Sequence, residues 1–292
     1  MDNKNKIVKQ VVKIDGRNIE CFMGGKGKPI ILLPGLGCDC SIWKLILPRL
    51  AKFFKVYTFS FPLYGTCNLK KHIYTLHTLH DLLENLIHYF HICKPTLVGH
   101  SLGSLVAIEY TAKHPKSVEK LILLSSPLSD NLKKVPIAWK WATDFALKNK
   151  KVDHLIEYVL TKTNISNLLF HIIKPKRKID KITSSINELL KSVPVKSIAK
   201  CYHDLFTTSF AHFIPKIHNP TLLVYGKNDI VLFHFHGTGL YSKFKNARIV
   251  SLPCNHFILN ECPQDATDLI VGFTKSSINQ IFFVKSIKGF WG

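Results

Sequence analysis

The sequence has no apolar run long enough to cross a membrane. A spanning helix needs roughly 20 consecutive apolar residues, and no stretch of these 292 approaches that. Residues 1–10 carry charge but no apolar h-region, so no secretory signal is expected. The eight cysteines are scattered without paired spacing. That argues against a disulfide framework and predicts reduced thiols in a cytoplasmic protein. Metal-ligand spacing is also wanting. Cys38-x-Cys40 and His234-x-His236 each lack a matching second pair, so neither a metal nor a cofactor is expected. Acidic residues are scarce: 19 Asp and Glu stand against 40 Lys and Arg, a net charge of +21. Such an excess suits an acidic partner, either an acidic carrier protein or an anionic membrane surface. A lysine-rich usage along the whole chain accounts for it equally well. No helix-turn-helix, zinc-finger or RNP-like pattern accompanies the charge, so nucleic acid is not an expected partner. Internal repeats and low-complexity tracts are missing as well.

What is present is a chain with 46% hydrophobic residues, long enough for one large domain or a core with an insertion. Residues Ile7–Ile14 and Asn18–Met23 flank Asp15-Gly16-Arg17 and predict an antiparallel hairpin. Pro29–Leu33 is a short apolar run, as expected of a strand covered on both faces. Then follow a helical spacing over Ser41–Phe53, a strand at Lys55–Phe61 and an amphipathic helix at Thr75–Phe90. A strand at Pro95–Val98, a helix at Leu105–His114 and a strand at Val118–Leu124 continue the alternation. Strands alternating with helices predict an α/β fold, a mostly parallel sheet with helices on both faces.

The rhythm breaks after Ser125-Ser126-Pro127. Four helical segments, Pro136–Leu147, Val152–Thr161, Ile182–Ser192 and Ser197–Phe206, predict an all-helical insertion, with Lys174–Lys178 interrupting them. The sheet pattern resumes at Pro220–Tyr225 and Ala247–Leu252 and ends in a helix, Gln264–Phe273. The expected organisation is a discontinuous core, 1–125 and 214–292, around a helical cap, 126–213. The tail from Lys275 to Gly292 mixes Lys with Phe and Trp; packing on the core or disorder is expected there before contact with a membrane.

Residues 99–103 read Gly-His-Ser-Leu-Gly between a strand and a helix. This is the G-x-S-x-G pattern of a nucleophile elbow, which holds a serine hydroxyl out above the sheet edge. Small residues are needed two before and two after Ser101, and Gly99 and Gly103 supply them. A serine needs a base, and the base needs an orienting carboxylate. Asp229 follows the strand Pro220–Tyr225, and His256 follows the strand Ala247–Leu252. Both therefore fall in loops at the carboxyl ends of strands, where chemistry collects in open α/β sheets. Asp229 could also be a simple turn residue, and Asp130 is a rival acid. His100 is expected to pack or line the pocket rather than act as base. The developing oxyanion needs two donors. The backbone N–H groups of Leu102 and of Leu36, in the loop Pro34-Gly35-Leu36-Gly37, are the candidates.

With these residues in place, roughly 17–275 resembles the α/β-hydrolase fold superfamily with a helical cap. The resemblance rests on Leu-Leu-Pro-Gly-Leu-Gly at 32–37, Gly-His-Ser-Leu-Gly at 99–103, residues 220–229, and Asn255-His256-Phe257 with Glu261-Cys262-Pro263. It implies Ser101, Asp229 and His256 as a triad and a substrate pocket between core and cap. The chain departs from the usual pattern twice. Pro34-Gly35 replaces the common His-Gly. Residues 60–65, Ser-Phe-Pro-Leu-Tyr-Gly, lack the usual Asp and first Gly. A serine at the elbow argues against the dehalogenases and epoxide hydrolases, which carry Asp there. The resemblance implies hydrolysis of a carboxylic ester. Thioester hydrolysis, hydrolysis of a carrier-linked acyl ester in the manner of pimeloyl-carrier methyl esterases, carbon–carbon bond hydrolysis and a non-catalytic binding role are the alternatives.

Overall fold

The computed structural model describes residues 6–36, 38–61, 74–128, 200–201, 203–205, 207–229, 232 and 240–276. Val8–Ile14 (β1) and Arg17–Gly24 (β2) pair as an antiparallel hairpin with Ile14 opposite Arg17. The two turn residues, Asp15 and Gly16, have φ of 49° and 75°. Such two-residue turns match the twist of the strands they join. Six more strands complete one sheet: Pro29–Leu33 (β3), Lys55–Phe59 (β4), Thr96–His100 (β5), Lys120–Leu124 (β6), Thr221–Gly226 (β7) and Ala247–Leu252 (β8). Their order is β1-β2-β4-β3-β5-β6-β7-β8, antiparallel at β1/β2 and β2/β4 and parallel from β4 to β8.

The interior strands β5, β6 and β7 are buried along their whole length, as their continuous apolar runs require. One face of the sheet is covered by Leu76–Tyr89 (α2) and Leu102–Lys113 (α3), which share a core with β3, β5 and β6. A reciprocal capping box starts α2: Thr78 N–H donates to Thr75 Oγ1 at 3.1 Å, and Thr75 N–H donates to Thr78 Oγ1 at 2.8 Å. The other face packs on Leu47–Leu50 (α1), Ile258–Glu261 (α4) and Pro263–Lys275 (α5), around Trp43, Leu50, Ile258 and Ile270. Among the described residues no helix is long and apolar enough to cross a membrane. The seven described cysteines are free thiols.

One predicted helix is not continuous. Ser41–Phe53 folds as a 3₁₀ turn, Cys40–Trp43, followed by the single turn α1. Pro48 sits in the first turn of α1, where its missing N–H is tolerated. Further inside a helix it would break the ladder, so the chain restarts there. The 3₁₀ turn has its own cap, with Ser41 N–H donating to Asp39 Oδ1 at 2.8 Å. Of the expected cap, 129–199 lies outside the described residues, with Asp130 and the Lys174–Lys178 cluster in it. Pro62–Tyr64, His234, His236 and the tail from residue 277 are likewise outside. Lys200, Cys201, His203–Leu205 and Thr207 are helical.

Close backbone approach fixes α3 against the sheet. A Cβ on Gly103 would lie 2.4 Å from the Leu33 carbonyl oxygen and 2.6 Å from that of Pro34. Neither oxygen is the end of a flexible side chain, so strand and helix would have to part. By contrast, a Cβ on Gly272, exposed in α5, meets nothing within 4 Å. Gly103→Ala is therefore expected to destabilise the fold by about 1–3 kcal/mol. Gly272→Ala is expected to stabilise it by about 0.5–1 kcal/mol through helix propensity. Urea denaturation of both variants checks the pair; a neutral Gly103→Ala would contradict the packing.

Candidate active site

β5 ends at His100 and α3 begins at Leu102, which leaves Ser101 alone at the corner. Its φ is 50° and its ψ is −118°. That region is strained for a side chain with a Cβ and costs about 1–3 kcal/mol. The surroundings enforce it. Ser101 N–H donates to the Leu124 carbonyl on β6 at 2.9 Å. The Ser101 carbonyl accepts from Ser104 N–H at 2.9 Å and from the Ser104 hydroxyl. Gly99 lies so close to Gly103 and Ser104 that a Cβ would come within 2.4 Å of Ser104 Cα. The two glycines read as spacing requirements in the sequence are thus in mutual contact.

The loop after β3 passes beside this corner. A Cβ on Gly35 would come 3.1 Å from Ser101 Cβ and 2.9 Å from His100 Nδ1. Leu36 therefore follows a residue that abuts Ser101, and Leu102 is buried at the start of α3. The Gly35 loop and the start of α3 thus flank the same serine.

Asp229 and His256 meet. His256 Nδ1 lies 2.9 Å from Asp229 Oδ2, with both side chains buried. The other carboxylate oxygen, Oδ1, accepts from Leu232 N–H at 2.9 Å. A proton on Nδ1 facing the carboxylate leaves the lone pair on Nε2. The two loops are sewn together by backbone: Lys227 N–H donates to the Leu252 carbonyl at 2.8 Å, and Asn228 N–H to the Cys254 carbonyl at 3.0 Å. Gly226 permits this contact, since a Cβ there would lie 2.2 Å from the Asn255 carbonyl oxygen. Glu261 braces the same loop: one of its oxygens accepts from Asn255 N–H at 3.0 Å and from Asn255 Nδ2 at 3.1 Å. The Glu261 of the sequence motif is thus a loop anchor on α4.

The elbow and the histidine loop are joined by His100, which the sequence suggests only as a packing or pocket-lining residue. His100 Nε2 lies 3.1 Å from the His256 carbonyl oxygen, and Ser125 Oγ donates to that same oxygen at 3.0 Å. The His100 and His256 rings are 5.2 Å apart between centroids. Burial, then the neighbouring His256, pushes the His100 pKa down to about 3. His100 is therefore neutral, and its Nε2–H is the donor. Ser125 has a positive φ of 45° and is wholly buried. In the sequence, Ser125-Ser126 marked only the end of β6. Ser126 Oγ lies 2.7 Å from Ser104 Oγ and so supports the Ser101 carbonyl indirectly. Two small polar residues at a strand's carboxyl end were the available clue.

The α/β hydrolase fold family matches residues 28–261, and the chain belongs to it. A pimeloyl-[acyl-carrier protein] methyl ester esterase from Wigglesworthia glossinidia brevipalpis is 25% identical over 227 residues, covering 72% of this chain and 78% of that protein. The abhydrolase domain-containing protein abhd-5.2 of Caenorhabditis elegans is 35% identical over 99 residues, 32% of this chain and 22% of that one. Over the first curated relatives, therefore, the chain spans well under two thirds of their length. The solved structure of the esterase EaEST from Exiguobacterium antarcticum superposes with a TM-score of 0.72 at 19% identity, covering 92% of this chain and all of that one. This likeness shows the same fold.

The buried neutral His100 has a consequence for acid stability. Unfolded, its pKa is about 6.5; folded, it is about 3. Between these values the unfolded chain binds the extra proton, so stability falls as pH is lowered. The slope from this group approaches about 1.4 kcal/mol per pH unit. His100→Gln, which keeps an N–H donor without titrating, is expected to have a shallower loss of stability from pH 6.5 to 4. Parallel slopes for wild type and variant in urea titrations would remove His100 as the cause.

Proposed function

We propose that the protein is a serine hydrolase that cleaves a carboxylic ester through an acyl-enzyme on Ser101. The observation that carries the reading is the strained Ser101 corner tied, through His100 and the His256 carbonyl, to an Asp229–His256 pair of 2.9 Å. In this reading His256 Nε2 takes the Ser101 proton as Oγ attacks the ester carbonyl carbon. Asp229 holds the imidazole in the required tautomer and stabilises the imidazolium that forms. The N–H groups of Leu36 and Leu102 receive the oxyanion, and the start of α3 adds its dipole. The alkoxide departs with the proton from His256. Water then attacks the acyl-enzyme by the same route in reverse, returning the serine. Residues 126–213 would form the helical cap and the substrate roof.

A second reading is a carrier-linked acyl ester or thioester hydrolase. It is favoured by the 25% identity to the carrier-protein methyl ester esterase and by the +21 net charge. Residues 126–213 hold 15 Lys or Arg against 7 Asp or Glu, so an acidic carrier would meet a basic approach.

Two experiments test these readings. A fluorophosphonate probe is expected to label wild type and not Ser101→Ala, whose ester hydrolysis falls by roughly 10⁴–10⁶ in kcat. Asp229→Asn is expected to lose on the order of 10⁴ by favouring the wrong tautomer, and Asp130→Asn little. Labelling that persists in Ser101→Ala sinks the assignment. The second experiment varies salt. Exposed charges are screened over about 8–10 Å at physiological ionic strength. In the second reading kcat/KM for a carrier-linked ester falls as salt rises, a neutral ester of equal acyl length does not respond, and Lys176, Arg177 and Lys178 replaced by Ala flatten the dependence. Equal salt responses leave the first reading alone.

A further inference from the structure

We propose that His77 and His80 of α2 and Glu109 of α3 form a binding site for a borderline divalent transition-metal ion, of which zinc is the expected occupant. One ligand atom from each of the three lies within 4.8 Å of the others. The site is independent of the catalytic reading. It sits about two turns down α3 from the elbow, where the two helices pack together.

Asp81 engages one of the two histidines: its Oδ1 lies 3.1 Å from His80 Nδ1, whereas its Oδ2 stands 3.8 Å from His77 Nε2, beyond hydrogen-bond reach. A carboxylate on one imidazole nitrogen is the usual second partner of a metal-ligating histidine, and it fixes the tautomer and raises the basicity of the other nitrogen. His80 therefore offers Nε2, and His77 offers Nδ1, the ring nitrogen that faces Glu109. His77 Nδ1 is 3.5 Å from Glu109 Oε1. Two ligands each about 2.0–2.2 Å from one zinc at a tetrahedral angle stand roughly 3.4 Å apart. His80 Nε2 is buried and has no hydrogen-bond partner, in a side chain only 3% exposed. A buried lone pair with no donor is costly, and an ion would satisfy it. Two imidazoles and a carboxylate leave a fourth position open, a set that suits zinc better than calcium or magnesium.

One group opposes the ion. Lys113 Nζ is 2.7 Å from Glu109 Oε1. The lysine now supplies the positive charge that a nearly buried carboxylate needs. It is partly exposed, so it can swing into solvent when an ion takes its place.

Cobalt(II) titration of the purified full chain, followed by absorption, tests the site. The expected result is one tight equivalent with nitrogen and oxygen ligation and no thiolate charge-transfer band. His77→Ala and Glu109→Gln are each expected to raise Kd at least tenfold. Lys113→Gln is expected to lower it severalfold, because the competing cation is gone. An ion that bridges α2 and α3 binds the folded chain alone, so zinc should raise the Tm of wild type and not that of His77→Ala. His77 is mostly exposed, so its loss leaves the fold intact. Unchanged affinity in His77→Ala, a spectrum dominated by thiolate, or no affinity gain in Lys113→Gln overturns the proposal.

Discussion

The site depends on how closely α3 approaches the sheet. Gly103 lies under the Leu33 and Pro34 carbonyls, and Gly99 lies against Gly103 and Ser104. With side chains at these positions the helix would have to move away from the sheet. Ser101 could then relax from φ 50° into an ordinary conformation. Its strain is maintained by contacts on three sides: the β6 carbonyl of Leu124, the Ser104 hydroxyl, and the Gly35 loop. Packing is the cause here, and the half-buried serine at the corner is the result. A strained residue persists when its surroundings over-determine it.

The second half of the site is positioned by one carbonyl oxygen. The backbone oxygen of His256 accepts from both His100 and Ser125, residues at the ends of the two neighbouring central strands. The residue before the serine thus anchors the backbone of the histidine. Geometry passes from elbow to imidazole through a single buried, neutral ring. A charged His100 would be unfavourable beside the His256 that accepts a proton in the proposed mechanism, and burial prevents that charge. Glu261 and Gly226 complete the support from the far side of the loop.

The strands and the three motif loops were legible in the sequence because each has a strong local cause. Continuous apolar runs mark strands covered on both faces, as at β3, β5 and β7. The Asp15-Gly16 pair marks its turn through positive φ. The triad candidates were legible because their order along the chain and their place after strands are local facts. The break in Ser41–Phe53 was not, because apolar spacing continues across Pro48 while the hydrogen-bond ladder cannot. His100 and Ser125 were not legible as a pair, since nothing along the chain states that both reach residue 256. The same holds for His77, His80 and Glu109: the histidines share one helix, but the carboxylate arrives from another.

Helix α3 links these observations. It is buried from Leu102 to Ala112, so each polar side chain it carries requires a partner. Ser104 finds the Ser101 carbonyl, and Thr111 finds the Ala107 carbonyl at 2.7 Å. Glu109 is the exception in kind, because it brings a charge. A carboxylate 10% exposed between two helices needs a cation, and Lys113 and the imidazole of His77 are the groups that reach it. The lysine, one turn away, makes a short contact but is partly exposed, and the imidazole is charged only when protonated. A carboxylate would be a poor choice for simple packing at that position. It is a good one where two imidazoles offer nitrogens within 4.8 Å and an ion can unite all three.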